Sequence, residues 1–214
     1  MYITYIGHSC FKIQDKINSD GVSIIIDPFD KTVGLKMPNC EADIVLVSHQ
    51  HTDHNCVQAI RGNPFIINSA GEYEIKNVFI EGVDTFHDNS EGKEKGGNVA
   101  YKIIIEDIRI VHLGDLGHLL DVKQLEKLSG ADILLIPVGG TYTIDAKKAV
   151  EVISQIEPRI VIPMHYKIKG STIDIDDVDK FIKEIGIEPT YEEKLKISKK
   201  ELLSKDMGLV ILKI

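Results

Sequence analysis

Cysteine is scarce in this sequence, and its scarcity removes two classes of protein. Only Cys10, Cys40 and Cys56 occur among the 214 residues, an odd number without a CxxC spacing. Such a set is neither a disulfide framework nor a thiolate zinc knuckle. We therefore expect reduced thiols in a cytoplasmic protein.

Positive charge and long apolar segments are lacking as well. Lys and Arg number 25 against 33 Asp and Glu, which gives a net charge of −8. Because phosphate contacts favour a basic face, this balance argues against a general nucleic-acid binder, although a local basic patch stays open. No apolar run approaches the ~20 residues that cross a bilayer. The first eight residues lack the basic start and apolar stretch of a signal peptide, so we expect no membrane partner.

The composition that remains is that of a globular protein. Hydrophobic residues make up 43% of the chain and charged residues 27%, so extensive disorder is not expected. A chain of this size buries roughly 70% of its unfolded surface and needs no disulfides to fold. Since no tandem repeat or linker is visible, we predict one domain over residues 1–214, with no indication of its oligomeric state.

Strand patterns dominate the first half of the chain, and strands alternate with helices in the second. Alternation and short β-branched runs predict strands over residues 2–6, 10–13, 22–26, 44–47, 65–68, 73–75, 78–80, 99–106, 108–112, 133–137, 160–162 and 209–212. Helical patterns cover residues 55–60, 121–128, 145–156 and 174–185. A turn or bulge is expected at Gly7, and hairpin turns at Asp20-Gly21 and near Glu106-Asp107. The polar stretch 88–98 predicts a mobile loop.

The segment His49-Gln50-His51-Thr52-Asp53-His54 carries the strongest chemical signal. Three imidazoles and one carboxylate lie within six residues, directly after an apolar strand. Histidine is the commonest transition-metal ligand, and carboxylate is its usual companion. Alternate residues of an extended backbone point the same way, so His49 and His51 can hold one ion. The following turn can direct Asp53 and His54 towards a second ion. A polar loop that happens to contain three histidines is the alternative.

With this segment in view, the sequence resembles the metallo-β-lactamase superfamily. It is most similar to the small cytosolic branch related to L-ascorbate-6-phosphate lactonase and other predicted metal-dependent hydrolases. Further segments carry the resemblance in the family's order, from residue 1 to about 170. They are Gly7-His8-Ser9-Cys10-Phe11, Ile26-Asp27-Pro28, Phe86-His87-Asp88, His112-Leu113-Gly114-Asp115-Leu116-Gly117 and Pro163-Met164-His165-Tyr166.

The resemblance implies an α/β fold, a four-layer αββα sandwich with two divalent ions in a cleft at one edge. It assigns His49, His51 and His87 to the first ion, Asp53, His54 and His165 to the second, and Asp115 to both. Two neighbouring cations lower the pKa of a bridging water towards neutrality, and the hydroxide is then the nucleophile. Asp53 would be the catalytic residue that guides this water or shuttles a proton. The ligand types suit zinc, and manganese and iron fit as well.

Each of the more distant ligands has an ordinary alternative. His87 can be a surface histidine, Asp115 a turn aspartate and His165 a helix-capping or core histidine. His112 and His118 stay outside the metal set, because strand alternation does not require His112 and Asp115 to share a face.

Two residues are expected to support the site without belonging to the ligand set. Asp27 would orient a ligand histidine through its other nitrogen, or merely start a turn before Pro28. His8 would line the site, or be a satisfied buried histidine.

Substrate contacts are predicted from the segments around the last strands. Backbone amides at Gly139 and Gly140 would bind an anionic group, although a strand-to-helix turn has the same need for glycine. Tyr166, beside His165, is a further predicted contact. The loop 88–98 would act as a lid, or be a solvated hairpin tip.

Three functions are compatible with the sequence. The leading one is a dinuclear metal-dependent hydrolase of a small anionic cytosolic substrate, such as a phosphoester, phosphodiester or lactone. A nuclease or phosphodiesterase acting on nucleic acid ranks lower, since no aromatic-basic interleaving is visible. The third is a non-catalytic metal-binding protein on the same scaffold.

Overall fold

The computed structural model describes residues 1–15, 21–202 and 206–214. Its strands, in chain order, are β1 Tyr2–Gly7, β2 Cys10–Gln14, β3 Ser23–Ile26, β4 Cys40–Glu41, β5 Ile44–Leu46, β6 Ile60–Arg61, β7 Phe65–Ile67, β8 Gly71–Ile75, β9 Val78–Phe86, β10 Gly97–Ile105, β11 Ile108–His112, β12 Ile133–Pro137, β13 Ile160–Met164, β14 Pro189–Glu192, β15 Leu195–Lys196 and β16 Gly208–Leu212. The α-helices are α1 Val122–Leu128, α2 Ala146–Ile156, α3 Val178–Ile185 and α4 Lys199–Leu202.

Two large sheets form the framework. The first has the order β15-β1-β2-β3-β5-β7 and the second β14-β16-β13-β12-β11-β10-β9-β8, while β4 and β6 pair separately. Within the first sheet β3, β5 and β7 run parallel. Within the second, β11, β12 and β13 run parallel. Since the carboxyl ends of parallel strands are where loops gather to form sites, the strand directions already indicate where chemistry belongs.

The continuous apolar runs are explained by burial on both faces of a sheet. Ile24 and Ile26 join the core shared by the two sheets, whereas Ile25 belongs to a second cluster on the outer face of the first sheet. Val45 lies in that outer cluster as well, while its neighbours in β5 face the core between the sheets. A strand buried in this way cannot show polar alternation.

Helices α1, α2 and α3 each begin at an aspartate that caps them. Asp121, Asp145 and Asp177 accept backbone N–H bonds in the first turn, which satisfies donors that a helix leaves unpaired. Helix α2 buries its Val152 face in the main core. The outer cluster of the first sheet is instead formed by strands, irregular chain and the 3-10 turn Lys31–Val33, with no α-helix among its described residues.

The predicted α/β sandwich is confirmed, with differences at a few elements. Residues 55–60 do not form the predicted helix, because the Ile60 amide bonds to the Val57 carbonyl in the 3-10 turn Val57–Ala59 and Ile60 then enters β6, where it pairs with Cys40 of β4. Helix α3 begins at Val178 rather than near residue 174. The preceding residues are extended, and the Asp176 amide donates to Gly139.

Two of the three predicted turns lie within the described residues. A register shift between Tyr5 and Gly7 marks the expected irregularity in β1. Glu106 and Asp107 both have positive φ, as a tight hairpin turn requires. The predicted hairpin turn at Asp20-Gly21 has its first residue outside the described residues. Among the residues that are described, no helix is long and apolar enough to span a membrane.

Candidate metal centre

The predicted ligands lie in loops that follow strands. The segment His49–His54 follows β5, His87 follows β9, Asp115 follows β11 and His165 follows β13. His8 lies in the turn between β1 and β2. The two sheets therefore bring ligands that are far apart in sequence to one edge of the sandwich.

One group of three imidazoles is compact enough for an ion. Ligand atoms of His49, His51 and His87 all lie within 4.8 Å of one another. The ring centroids of His49 are 4.6 Å from His51 and 4.8 Å from His87. His49 Nε2 is buried and has no protein partner. These are the three residues predicted for the first ion.

Asp115 is the centre of the remaining contacts. Its Oδ2 lies 3.2 Å from His54 Nε2, 3.3 Å from His87 Nε2 and 3.2 Å from His165 Nε2. The same carboxylate therefore contacts one imidazole predicted for the first ion and two predicted for the second. That is the position expected for a carboxylate shared between two ions.

Asp27 has the geometry predicted for a residue that orients ligand histidines. It is fully buried, and its Oδ2 accepts a hydrogen bond from His54 Nδ1–H at 3.0 Å. Ser48 donates to the same carboxylate through its amide and its hydroxyl, both at 2.7 Å. Because the Ser48 hydroxyl proton is used there, His49 Nδ1–H donates to Ser48 Oγ at 2.9 Å. The Nε2 lone pairs of His49 and His54 are thereby left free for a metal.

Asp53 and His8 meet at the mouth of the centre. Asp53 Oδ2 lies 3.2 Å from His8 Nε2 and 3.8 Å from His54 Nε2, and its side chain is 31% exposed. His8 is only 2% exposed. Its Nε2 lies 3.0 Å from His54 Nε2, so His8 is in direct contact with a predicted ligand.

The backbone at the centre is held in an uncommon conformation. His8, Asp27 and His165 have φ values of 57°, 47° and 51°, a region that non-glycine residues rarely adopt. The His165 amide donates to the His8 carbonyl at 2.8 Å, and the Tyr5 hydroxyl donates to the same oxygen at 2.7 Å. Such local strain persists only where surrounding bonds fix it, and it is concentrated at functional sites.

The electrostatics favour charged carboxylates and neutral His8 and His49, whereas His54 is held in its charged form. Burial lowers the pKa of His54, but Asp115 and Asp27 outweigh burial and raise that pKa well above its usual range. Burial lowers the pKa of His49 to about 3 and that of His8 to about 4, with neighbouring imidazoles acting in the same direction. Burial raises the pKa of the Asp115 carboxyl, but His165 and His54 outweigh it and hold that pKa well below its usual range. Metal binding needs deprotonated ligands. The shifts of His49, His8 and Asp115 supply them near neutral pH, while His54 must release a proton when an ion binds.

A metal ion fits these residues on two observations of the structure. One of the four buried side-chain atoms without a partner among the described residues is His49 Nε2, in this cluster. Ligands about 2.05 Å from a tetrahedral ion are about 3.3 Å from one another. The separations around Asp115 Oδ2, 3.2–3.3 Å, match that spacing.

A cleft of about 540 Å³ opens over the cluster. It is lined by His51, Asp53, His87, Lys95, Asp115, Tyr142, His165, Thr172, Ile173 and Asp174. A larger cleft of about 710 Å³ lies at the opposite ends of the strands, around Arg109 and Arg159. None of the three compact sets of metal-ligating side chains in the described residues belongs to it. The smaller cleft is therefore the functional candidate.

The three residues predicted for substrate contact do not line this cleft. The Gly140 amide donates to the Ile144 carbonyl, so it is not free for an anion. A Cβ at Gly139 would lie 2.1 Å from the His165 carbonyl, which explains the glycine by close packing. Tyr166 is buried, with its ring 6.0 Å from that of Tyr5. The geometry thus favours the turn interpretation of the glycines.

The loop after His87 is an ordered wall of the cleft. Asp88 accepts four backbone N–H bonds, from Ser90, Gly92, Glu94 and Lys95. Lys95 Nζ donates to the Thr141 and Tyr142 carbonyls at 3.2 and 2.8 Å, which ties the loop to the opposite rim. The loop joins the antiparallel strands β9 and β10 and exposes Asn89, Glu91, Lys93 and Glu94, as the predicted hairpin tip would, while Lys95 lines the cleft.

The structure adds two supporting residues, Asn98 and His112, to which the sequence analysis gave no role. Asn98 accepts a hydrogen bond from the Asp115 amide at 2.9 Å and donates to the Leu113 carbonyl. His112 donates through Nε2–H to Ser9 O and accepts from the Gly114 amide, so it joins the His8 and Asp115 segments. Neither residue lies in a metal-ligand spacing. Only the position of Asn98 after two glycines, at the start of a strand, could have drawn attention to it.

The comparisons with known proteins agree with this geometry. The family model of the β-lactamase superfamily domain matches residues 2–165, and the chain belongs to this superfamily, in its metallo-β-lactamase branch. It is 31% identical over 203 residues to a UPF0173 metal-dependent hydrolase of Thermoplasma volcanium, covering 83% of this chain and 86% of that protein. A second such relative, from Thermococcus onnurineus, is 30% identical and covers 77% of this chain and 84% of its own length.

A solved structure extends the likeness to nearly the whole chain. A metallo-β-lactamase superfamily protein of Thermotoga maritima superimposes with a TM-score of 0.78 and 37% sequence identity. The match covers 99% of this chain and 97% of that one. The resemblance inferred from the motifs is therefore confirmed at the level of the superfamily and its fold.

Proposed function

We propose that this metal-dependent hydrolase of the metallo-β-lactamase superfamily holds two divalent ions and acts on a small anionic substrate. His49, His51 and His87 would hold the first ion. His54 and His165, with Asp53 near them, would hold the second, and Asp115 would contact both. The observation that carries the proposal is the convergence of three imidazole Nε2 atoms on Asp115 Oδ2 at 3.2–3.3 Å.

Divalent ions at these positions supply Lewis acidity, which lowers the pKa of a bound water towards neutrality and stabilises developing negative charge. The chain's own residues orient the ligands and provide a group for proton transfer. Asp27 and Ser48 fix the tautomers of His54 and His49. Asp53 is the partly exposed carboxylate of the cleft. It can therefore accept a proton from the attacking water and return it to the leaving group.

The form of the cleft supports a small substrate. A volume of about 540 Å³ lies in the range of small-molecule sites. Lys95 and Tyr142 face each other across its rim, with the ammonium 5.6 Å from the ring centroid. A cation above the carboxylates favours an anionic group on the substrate. The relatives named as metal-dependent hydrolases support the reaction class but not a particular substrate. We propose zinc as the metal because the Thermotoga maritima protein is named as zinc-dependent and the donor set is rich in imidazole.

The test is hydrolysis of generic phosphodiester and lactone substrates by protein loaded with defined metals. We expect activity that is lost on treatment with a chelator and collapses in His51→Ala and Asp115→Ala. His118→Gln is the matched control, because His118 is outside the metal set and glutamine can still accept the bond from the Phe86 amide. Full activity in metal-free protein, or in Asp115→Ala, would contradict the proposal.

A further inference from the structure

His8 lies closer to the second group of ligands than a supporting residue needs to be. Ligand atoms of His8, His54 and His165 all lie within 4.8 Å of one another. The ring centroid of His8 is 4.4 Å from that of His165 and 4.7 Å from that of His54. The imidazole is almost completely buried, so it occupies space that solvent does not reach.

The contact between His8 and His54 suits two nitrogens that share a cation. His54 donates its Nδ1–H to Asp27, so its Nε2 carries a lone pair. His8 Nε2 faces that lone pair at 3.0 Å. Two imidazole nitrogens hold this separation only with a proton or a cation between them. The distance is close to the spacing of about 3.3 Å expected for two nitrogens on one tetrahedral zinc ion.

The backbone of His8 is fixed as that of a ligand would be. Two donors, the Tyr5 hydroxyl and the His165 amide, bond to its carbonyl oxygen at 2.7 and 2.8 Å. Together they hold the residue at a φ of 57°, which costs conformational energy for a side chain with a Cβ. One of these donors belongs to a residue already assigned to the second ion, so the two histidines are positioned as one unit.

Asp53 is less well placed than His8 to bind the second ion. It belongs to none of the three compact sets of potential ligands found among the described residues. Its Oδ2 lies 3.8 Å from His54 Nε2, its side chain is 31% exposed, and its nearest partner is His8 at 3.2 Å. It is thus placed outside the histidines, facing the cleft.

We propose that His8 is a direct ligand of the second ion, together with His54 and His165, and that Asp53 acts from outside this set on water and substrate. The inference rests on the proposed function in one respect, because it needs a second ion. It differs from the ligand set implied by the family resemblance, in which Asp53 holds that place.

The decisive experiment counts metal-bound imidazoles in wild-type protein loaded with two equivalents of zinc. Long-range ¹H–¹⁵N correlation spectra of histidine-labelled protein separate coordinated nitrogens from free ones. Of the eight histidines, we expect all but His112 and His118 to be coordinated. The His8 signals are assigned by their absence in His8→Asn. A spectrum in which His8 Nε2 carries a proton while two ions are bound would overturn the inference and leave the proposed function intact.

Zinc affinity of two variants gives an independent readout. Asparagine tolerates positive φ, so His8→Asn removes the imidazole ligand without adding backbone strain. We expect it to weaken the second zinc site at least about tenfold, and Asp53→Asn to weaken it less. The reverse order would overturn the inference. Failure of wild-type protein to bind a second zinc would contradict the proposed dinuclear centre as well.

Discussion

Replacing Asp27 by asparagine tests how a buried carboxylate that does not line the cleft controls the metal ligands. The wild-type carboxylate accepts three hydrogen bonds, two from Ser48 and one from His54 Nδ1–H. Asparagine can keep the bond to the Ser48 amide, but its NH₂ group then meets the N–H of His54. Two donors cannot bond, so His54 must move its proton to Nε2 and lose the lone pair that faces Asp115.

The size of the effect follows from the contacts that are lost. Loss of a partner that orients a metal-bound histidine typically weakens metal binding about 10- to 100-fold, which corresponds to about 1.4–2.8 kcal/mol. A hydrogen bond to a charged group contributes about 1.5–3 kcal/mol to stability. We therefore expect Asp27→Asn to lower zinc affinity by one to two orders of magnitude and the free energy of unfolding by about 2 kcal/mol.

Two assays separate the effect on zinc affinity from the effect on stability. Zinc affinity is measured by competition with a chromophoric chelator, and stability by urea unfolding in the presence of excess chelator. Asp107→Asn is the matched control, because it removes one negative charge from an exposed hairpin turn. Wild-type zinc affinity in Asp27→Asn would refute the argument that Asp27 sets the tautomer of His54.

Three further predictions concern the supporting structure and its response to pH. Gly114→Ala places a Cβ 2.3 Å from Asn98 Oδ1 at a φ of 55°. In urea unfolding it should therefore destabilise the protein by at least about 2 kcal/mol. A Cβ at Gly96 has no atom within 4 Å, so Gly96→Ala should cost less stability, and equal costs would contradict the packing argument. Asp88→Ala removes the acceptor of four loop amides. Trypsin should therefore cleave this variant after Lys93 or Lys95 much faster than it cleaves the control variant Glu91→Ala. Unchanged cleavage would show that the loop is held by other contacts. In metal-free protein, His8 has a pKa of about 4 when folded against 6.5 when unfolded. Its contribution to stability is therefore lost as pH falls from 6.5 towards 4. The urea midpoint should fall less steeply over this pH range in His8→Asn than in wild type, and parallel curves would be inconsistent with a neutral buried His8.

Much of the fold follows from local sequence signals. The strand at residues 133–137 and the hairpin turn at Glu106-Asp107 were predicted where they occur, because β-branched runs and tight turns are local properties. The helix predicted over residues 55–60 was wrong, since the pairing of Ile60 with Cys40 between β6 and β4 leaves room only for the 3-10 turn Val57–Ala59. The start of α3 was placed too early because several aspartates precede it, and only the structure shows that Asp177 is the cap.

In the candidate site, too, local sequence signals predict some features and miss those that depend on tertiary structure. Spacing within His49–His54 indicates a metal by itself, but the arrival of His87, Asp115 and His165 at the same edge depends on strand order, which the residues alone do not give. His8 and Asn98 act through contacts across 46 and 17 positions of the chain, so no local pattern reveals their roles. The predicted anion site at Gly139 and Gly140 came from a glycine pattern that the structure explains by backbone packing at Gly139 and by a positive φ at Gly140.

The most direct test of the dinuclear centre is a crystal structure of the metal-loaded protein with anomalous scattering measured at the metal edge. We predict two peaks a few ångströms apart, one among His49, His51 and His87 and the other beside His54 and His165, with the Asp115 carboxylate between them. A single peak, or an Asp115 side chain that contacts neither ion, would contradict the account.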